Sequence, residues 1–242
     1  MQQASSVMAA ALRRGLFASQ HAAVGQQLAG FASSASTVPD WASKLPAEWQ
    51  TAAKPGSSFR RKMKVHFNMC DYDKDGLVRW NDIDQITQNY AKIRNLKPGS
   101  AEWRKCQDGH EFVFTKFWSD TGDLNGKSSE EQLVRNIVTA AANAPWKSVE
   151  EFANMTPVKI CFDLVDADGD GFITAKEFKE FWDAHQLKPT EMKQVFSELD
   201  TDKDGKISRQ EYYEAFYNWL NTPHCDPGHK ATPNIWGLVP AK

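Results

Sequence analysis

The chain has 242 residues, 41% hydrophobic and 12% aromatic, enough to bury a substantial core in one or two domains. Its 29 lysines and arginines nearly balance 31 aspartates and glutamates for a formal charge of −2, which leaves no basic field for nucleic acid and no acidic tail. No apolar run approaches the ~18 residues that a bilayer span needs, so no transmembrane segment is expected.

From Met1 to Pro39 there is no acidic residue, while Arg13 and Arg14 sit in an Ala/Ser-rich setting with Val7, Met8, Leu12, Leu16 and Phe17 available for one helical face. That pattern predicts a mitochondrial import sequence rather than a secretory signal, whose apolar core the two arginines would interrupt. The alternative is a disordered extension and a cytoplasmic location. Pro39, Pro46, Pro55 and Gly56 predict a flexible linker up to about Ser57, with Trp41 and Trp49 either docked or free, so residues 1–56 are set apart from the folded body. Cys70, Cys106, Cys161 and Cys225 lie far apart without a CxxC pair and read as reduced structural thiols.

Phe59 to Cys70 has helical period, with Met63, Phe67 and Cys70 on one stripe, and runs into Asp71, Asp73, Asp75, Gly76, Leu77 and Asp82. Ile83, Ile86, Thr87 and Tyr90 continue a second helix. Carboxylates at positions one, three, five and twelve of a loop, with glycine at six, form the layout of an EF-hand calcium loop. A calcium ion takes about six to eight oxygens, and the glycine permits the sharp turn that aims them inward. Further on, Thr121, Asp123, Asn125, Gly126, Ser128 and Gln132 occupy the same slots. The first carboxylate and the bidentate twelfth are lost, and the apolar eighth residue is serine, which predicts a structural partner without metal.

Val149 to Val165, with Phe152, Val158, Phe162 and Val165, leads into Asp166, Asp168, Asp170, Gly171, Phe172, Thr174 and Glu177, the fullest match in the chain. Leu187-Lys188-Pro189-Thr190 breaks the chain, and Met192, Val195, Phe196 and Leu199 lead into Asp200, Asp202, Asp204, Gly205, Lys206, Ser208 and Glu211. In each competent loop the seventh residue, Leu77, Phe172 or Lys206, supplies a backbone carbonyl, and Thr174 and Ser208 at position nine reach the ion through water. Asp82 is one methylene shorter than Glu177 and Glu211, which favours six-fold coordination and a loop open to magnesium as well as calcium. The Pro-rich tail carries Ile235, Trp236, Leu238 and Val239 and is expected to fold back on the body, whereas His224, Cys225 and His229 match no common zinc spacing.

Three competent loops, a defective second one, Arg61-Lys62-Met63-Lys64 running into Phe67-Asn68 before Asp71, and the ending Trp236-Gly237-Leu238-Val239 resemble the invertebrate sarcoplasmic calcium-binding proteins over residues 57 to 240. The resemblance implies a compact all-α array of four EF-hands. Residues 57–145 would form the first pair and 146–242 the second with its fold-back tail, with short β contacts between paired loops. It also implies a non-enzymatic calcium and magnesium buffer with three calcium sites and ligand positions as above, Arg79 contributing through water or not at all. The architecture is similar as well to luciferin-binding proteins and photoproteins. Nine tryptophans and fourteen phenylalanines would suit a hydrophobic ligand cavity, although the last-helix position at which photoproteins carry histidine is Phe216 here. A calcium sensor is the remaining alternative, disfavoured by only six methionines. A monomer is expected, and no protein partner is indicated.

Overall fold

A computed structural model describes residues 37–143, 146–223 and 234–239. Among these residues, ten α-helices and two minimal sheets make an all-α fold. Helix α1 spans Ala47–Ala53, α2 Ser58–Cys70, α3 Trp80–Ile93, α4 Ala101–Val113, α5 Glu130–Asn143, α6 Val149–Met155, α7 Val158–Val165, α8 Ala175–Ala184, α9 Pro189–Leu199 and α10 Arg209–Asn221. The four strands are β1 (Leu77–Arg79), β2 (Lys127–Ser129), β3 (Phe172–Thr174) and β4 (Lys206–Ser208).

Each strand is the second half of a loop, and the loops pair antiparallel: Val78 opposes Ser128, and Ile173 opposes Ile207. All four eighth-position side chains are buried; Val78, Ile173 and Ile207 anchor the three competent loops in the apolar core, while the polar Ser128 lies opposite Val78. Residue choice sets the helix boundaries. Ser57, Ser100 and Ser148 cap α2, α4 and α6 by accepting from the N–H three residues on, and Thr174 and Ser208 do the same for α8 and α10. Lys188-Pro189 starts α9 with proline in its first turn.

The stretch from Val149 to Val165 forms two helices, α6 and α7. Proline cannot donate in a helix interior and disfavours helical backbone in the residue before it, so the chain opens at Thr156 and restarts after Pro157. The flexible linker expected up to Ser57 is corrected. Asp40–Ala42 form a 3-10 turn and α1 packs on α2 and α5, with Ala42, Trp49, Ala52 and Ala53 buried. Arg60 fixes this arm: its Nε donates to Ala53 O at 2.7 Å, while Nη1 meets Glu131 Oε2 at 2.6 Å. Trp41 Nε1 donates to Glu131 as well, at 3.0 Å. Met1 to Ser36, with the import-like pattern, and the His224, Cys225 and His229 stretch lie outside the described residues.

The two loop pairs join through α3 on α8, α4 on α7 and α5 on α10. Arg94, at the end of α3, makes the most directed of these links. Its Nη1 and Nη2 donate to the carbonyls of Leu164 and Val165 at 2.8 and 2.9 Å, and its Nε to Glu180 at 2.8 Å. A cation therefore caps the C-terminus of α7, the helix that delivers Asp166. The core is aromatic throughout, with Phe59, Tyr90, Phe114, Phe152, Phe162 and Trp182 almost wholly removed from solvent. The tail does fold back, and Ile235 and Trp236 are buried in it. Cys70, Cys106 and Cys161 are free thiols, pushed up in pKa by burial, Cys106 to about 11 and Cys161 to about 12.

Candidate metal centres

Three loops share one backbone conformation. The fourth residue is left-handed in each, at φ of 61° for Lys74, 75° for Gly169 and 66° for Lys203, and so is the sixth, at 87°, 89° and 89° for Gly76, Gly171 and Gly205. Only glycine takes the sixth value without strain. The turn aims the sixth N–H at the first carboxylate, Gly76 to Asp71, Gly171 to Asp166 and Gly205 to Asp200, at 3.1, 3.1 and 3.2 Å. The third carboxylate accepts from the fifth N–H and the fifth from the seventh, as in Asp168 from Asp170 at 3.1 Å and Asp170 from Phe172 at 2.8 Å. Each bond leaves lone pairs directed into the loop.

The twelfth carboxylate closes the ring. Glu177 accepts from Ala167 N and Thr174 N at 2.8 and 2.9 Å, and Glu211 from Thr201 N and Ser208 N at 2.7 Å each. Asp82, though shorter, reaches Tyr72 N at 3.1 Å and Arg79 N at 2.8 Å. In each loop the first, third and twelfth residues, Asp71, Asp73 and Asp82, then Asp166, Asp168 and Glu177, then Asp200, Asp202 and Glu211, bring one oxygen apiece within 4.8 Å of each other. Asp75, Asp170 and Asp204 stand outside those triplets, and Leu77, Phe172 and Lys206 begin the paired strands.

The donor set fits a hard divalent cation. Each cluster is all oxygen, and Asp71 Oδ1 and Asp200 Oδ1 are buried without a hydrogen-bond partner, an arrangement that folding does not leave unfilled without reason. Burial raises the pKa of Asp71 and Asp166 against the bonds from their glycine N–H groups. Burial acts in the same sense on Glu177 and Glu211, but bonds from backbone N–H and hydroxyl groups outweigh it, holding Glu177 below its ordinary value and Glu211 at about 2. Glu177 and Glu211 are thus kept charged.

The second loop has collapsed further than its sequence implies. Gly126 sits at the expected sixth position, fixed by the Val78 to Ser128 register, but neither it nor Leu124 is left-handed. Gly122 takes the positive φ instead, at 78°. Oxygens of Ser119, Thr121 and Asp120 crowd within 2.0 to 2.9 Å of where a Gly126 side chain would begin. Asp120 Oδ1 accepts from Lys127 N at 2.9 Å, and Thr121 Oγ1 donates to Asp123 Oδ1 at 2.7 Å, so the remaining carboxylates are tied up within the loop. Gln132 keeps the contact to Ser129 N, at 2.9 Å, and so caps α5. No triplet of acidic ligands forms there among the described residues.

Two contacts near the loops carry no signal in the ligand pattern. Arg79, at position nine of the first loop, ion-pairs with Asp75 of the same loop. Arg209, at position ten of the third competent loop, meets Asp163 at 2.7 Å and Asp166 of the neighbouring loop at 3.5 Å while lying over the Phe162 ring. Both are long-reach cations whose partners only the fold selects.

An EF-hand domain pair matches residues 148–217. Sarcoplasmic calcium-binding proteins I, III and IV of Branchiostoma lanceolatum are 25% identical over 175 residues, covering 70% of this chain and 93% of theirs. The luciferin-binding protein of Renilla reniformis is 29% identical over 163 residues, covering 66% of this chain and 84% of its own. In fold, the coelenterazine-binding protein of Renilla muelleri superposes with a TM-score of 0.57 at 24% identity, covering 74% of this chain and 95% of that one. With an EF-hand pair matched and three loops of one geometry inside that shared fold, the chain is an EF-hand protein built to bind calcium and is similar to the sarcoplasmic calcium-binding proteins.

Proposed function

We propose that this protein is a non-enzymatic buffer holding three divalent ions. Asp71, Asp73, Asp75, Asp82 and the Leu77 carbonyl would hold the first. Asp166, Asp168, Asp170, Glu177 and the Phe172 carbonyl would hold the second, and Asp200, Asp202, Asp204, Glu211 and the Lys206 carbonyl the third. The short Asp82 supports magnesium as well as calcium in the first loop.

The observation that carries buffering is the plugged interior. A sensor opens an apolar groove on loading, and a carrier needs room for its ligand. Here Trp236 of the tail sits among Phe181, Phe216 and Trp219, and the crevice beside it, lined by Val165, Phe178 and Tyr212, leaves no room even for a water molecule, let alone a ligand that needs a pocket of roughly 300 Å³. The luciferin-binding relative favours the carrier as second reading; the filled cavity opposes it. Calorimetric titration with calcium, with and without magnesium and alongside a hydrophobic dye, is expected to give three calcium ions per chain and no calcium-dependent rise in dye binding. Two ions or fewer, or a strong rise, would reject the buffer.

The acid-free, Arg13- and Arg14-bearing front segment supports mitochondrial import as part of the proposal. Residues 1–36 fused to a fluorescent reporter should direct it to mitochondria; diffuse cytoplasmic signal would remove that element alone.

A further inference from the structure

Each loop carries cations as well as carboxylates, and what those cations touch separates the first loop from the other two. Lys74 Nζ donates to backbone carbonyls, Asn68 O and Asp71 O, and Lys203 Nζ turns likewise to Ser197 O and Asp200 O. Lys206 Nζ lies 4.9 Å from the centre of the Phe172 ring in the neighbouring loop. None of these amines is paired with a carboxylate of its own loop, and Arg209 of the third loop reaches out of it, to Asp163 at 2.7 Å and to Asp166 of the neighbouring loop at 3.5 Å. Arg79 is so paired: its Nη1 grips Asp75 Oδ2 while Asp75 Oδ1 accepts from Leu77 N at 2.9 Å. Both oxygens of the fifth carboxylate are therefore engaged by the protein itself. In the other two loops the equivalent Asp170 and Asp204 also accept from the seventh N–H through Oδ1, at 2.8 Å each, but no cation of the loop covers the second oxygen.

Position nine explains the difference. Thr174 and Ser208 have short hydroxyls that turn inward, donating to Glu177 and Glu211 at 2.8 Å each and so bracing the twelfth carboxylate. A guanidinium at that place is too long for the task and reaches across to position five, four residues back on the same loop. We infer that Arg79 sets the affinity of the first loop as a tethered competitor: its guanidinium occupies Asp75 and must be displaced when a divalent ion enters, which makes this loop the weakest of the three. The inference rests on the three-ion reading and concerns only the rank of one loop.

The test uses the full-length chain. Calcium is titrated while the amide resonances of Gly76, Gly171 and Gly205 are followed, since each N–H is bonded to the first carboxylate of its own loop and reports that loop separately. In the wild-type protein Gly76 should respond at the highest calcium concentration. Arg79→Gln should tighten the Gly76 transition about tenfold, the scale expected from removing a unit charge beside a ligand oxygen, and leave Gly171 and Gly205 in place. Arg79→Lys, which keeps the charge, should stay within about twofold of wild type. The gap between wild type and Arg79→Gln should also shrink as salt screens the charge, a response that a merely structural role would not give. A Gly76 transition that is unmoved or weakened in Arg79→Gln overturns the inference while leaving the three-ion reading intact. A Gly76 resonance silent to calcium in both proteins overturns both.

Discussion

Trp236→Ala should cost about 3–5 kcal/mol of unfolding free energy, the range for deleting a large buried aromatic that its surroundings cannot collapse to replace. The ring stacks on His66 of α2 at 5.4 Å between centroids, and meets Phe181 of α8 at 5.6 Å, Phe216 of α10 at 4.9 Å and Trp219 of α10 at 6.5 Å. One side chain thus touches the first entering helix and two exiting helices of the other pair. The tail backbone is held separately, by Glu198 accepting from Asn234 N at 3.1 Å and Glu191 accepting from Leu238 N at 2.8 Å. The tail should therefore stay seated and leave a void continuous with the space beside Val165, Phe178 and Tyr212. Trp236→Phe provides the contrast. The indole N–H is buried without a partner, so phenylalanine gives up no hydrogen bond and should cost roughly 1 kcal/mol. Urea unfolding measures both. An alanine variant within about 1 kcal/mol of wild type would mean that the tail does not close the core, and it would remove the main support for buffering over ligand carriage.

The three competent loops were legible in the sequence because an EF-hand loop is local chemistry. Every ligand lies within twelve residues and the glycine enforces the turn, so the spacing of Asp166 to Glu177 implies the backbone that Gly169 and Gly171 then adopt. The second loop shows the limit of that inference. Gly126 keeps its place in the pattern, but without Asp or Glu at positions one and twelve no set of like charges holds the loop open, and hydroxyls of Ser119 and Thr121 fill it. The break between α6 and α7 has its cause in the sequence, since Pro157 cannot continue a helix and opens the residue before it. The arm from Asp40 to Ala53 was obscured by its prolines. Its order comes from Arg60 and Glu131, a pair 71 residues apart that local reading cannot join. Arg79 and Arg94 belong to the same class, since a long side chain states its charge but not its partner.

Acid should unfold the calcium-free protein well above the pH at which its carboxylates titrate. His66, His110 and His185 are enclosed by the aromatic core, and burial pushes them down, to about 3, 3 and 4. His66 lies between the Trp118, Trp219 and Trp236 rings with a buried Nδ1 that has no partner, while His110 and His185 both face Tyr90. An unfolded chain protonates histidine near 6.5, whereas the folded one refuses the proton until far lower. The unfolded state therefore binds more protons across pH 6.5 to about 4, and stability falls with falling pH there by about 1.4 kcal/mol per pH unit for each histidine. The carboxylates enter later and with mixed sign. Glu177 and Glu211, depressed in the fold, lose their stabilisation only as pH drops below the usual glutamate value toward about 2, whereas protonation relieves Asp71 and Asp166, which burial has raised. Between pH 6.5 and 5 the histidines dominate. Chemical unfolding in a chelator at half-unit steps should show a steep loss across that window, and His110→Gln should flatten the slope by about a third even if it lowers stability at neutral pH. A profile flat down to pH 4.5, or one unchanged by the substitution, would show that these rings accept protons in the folded state and that the aromatic core is less closed than its packing indicates.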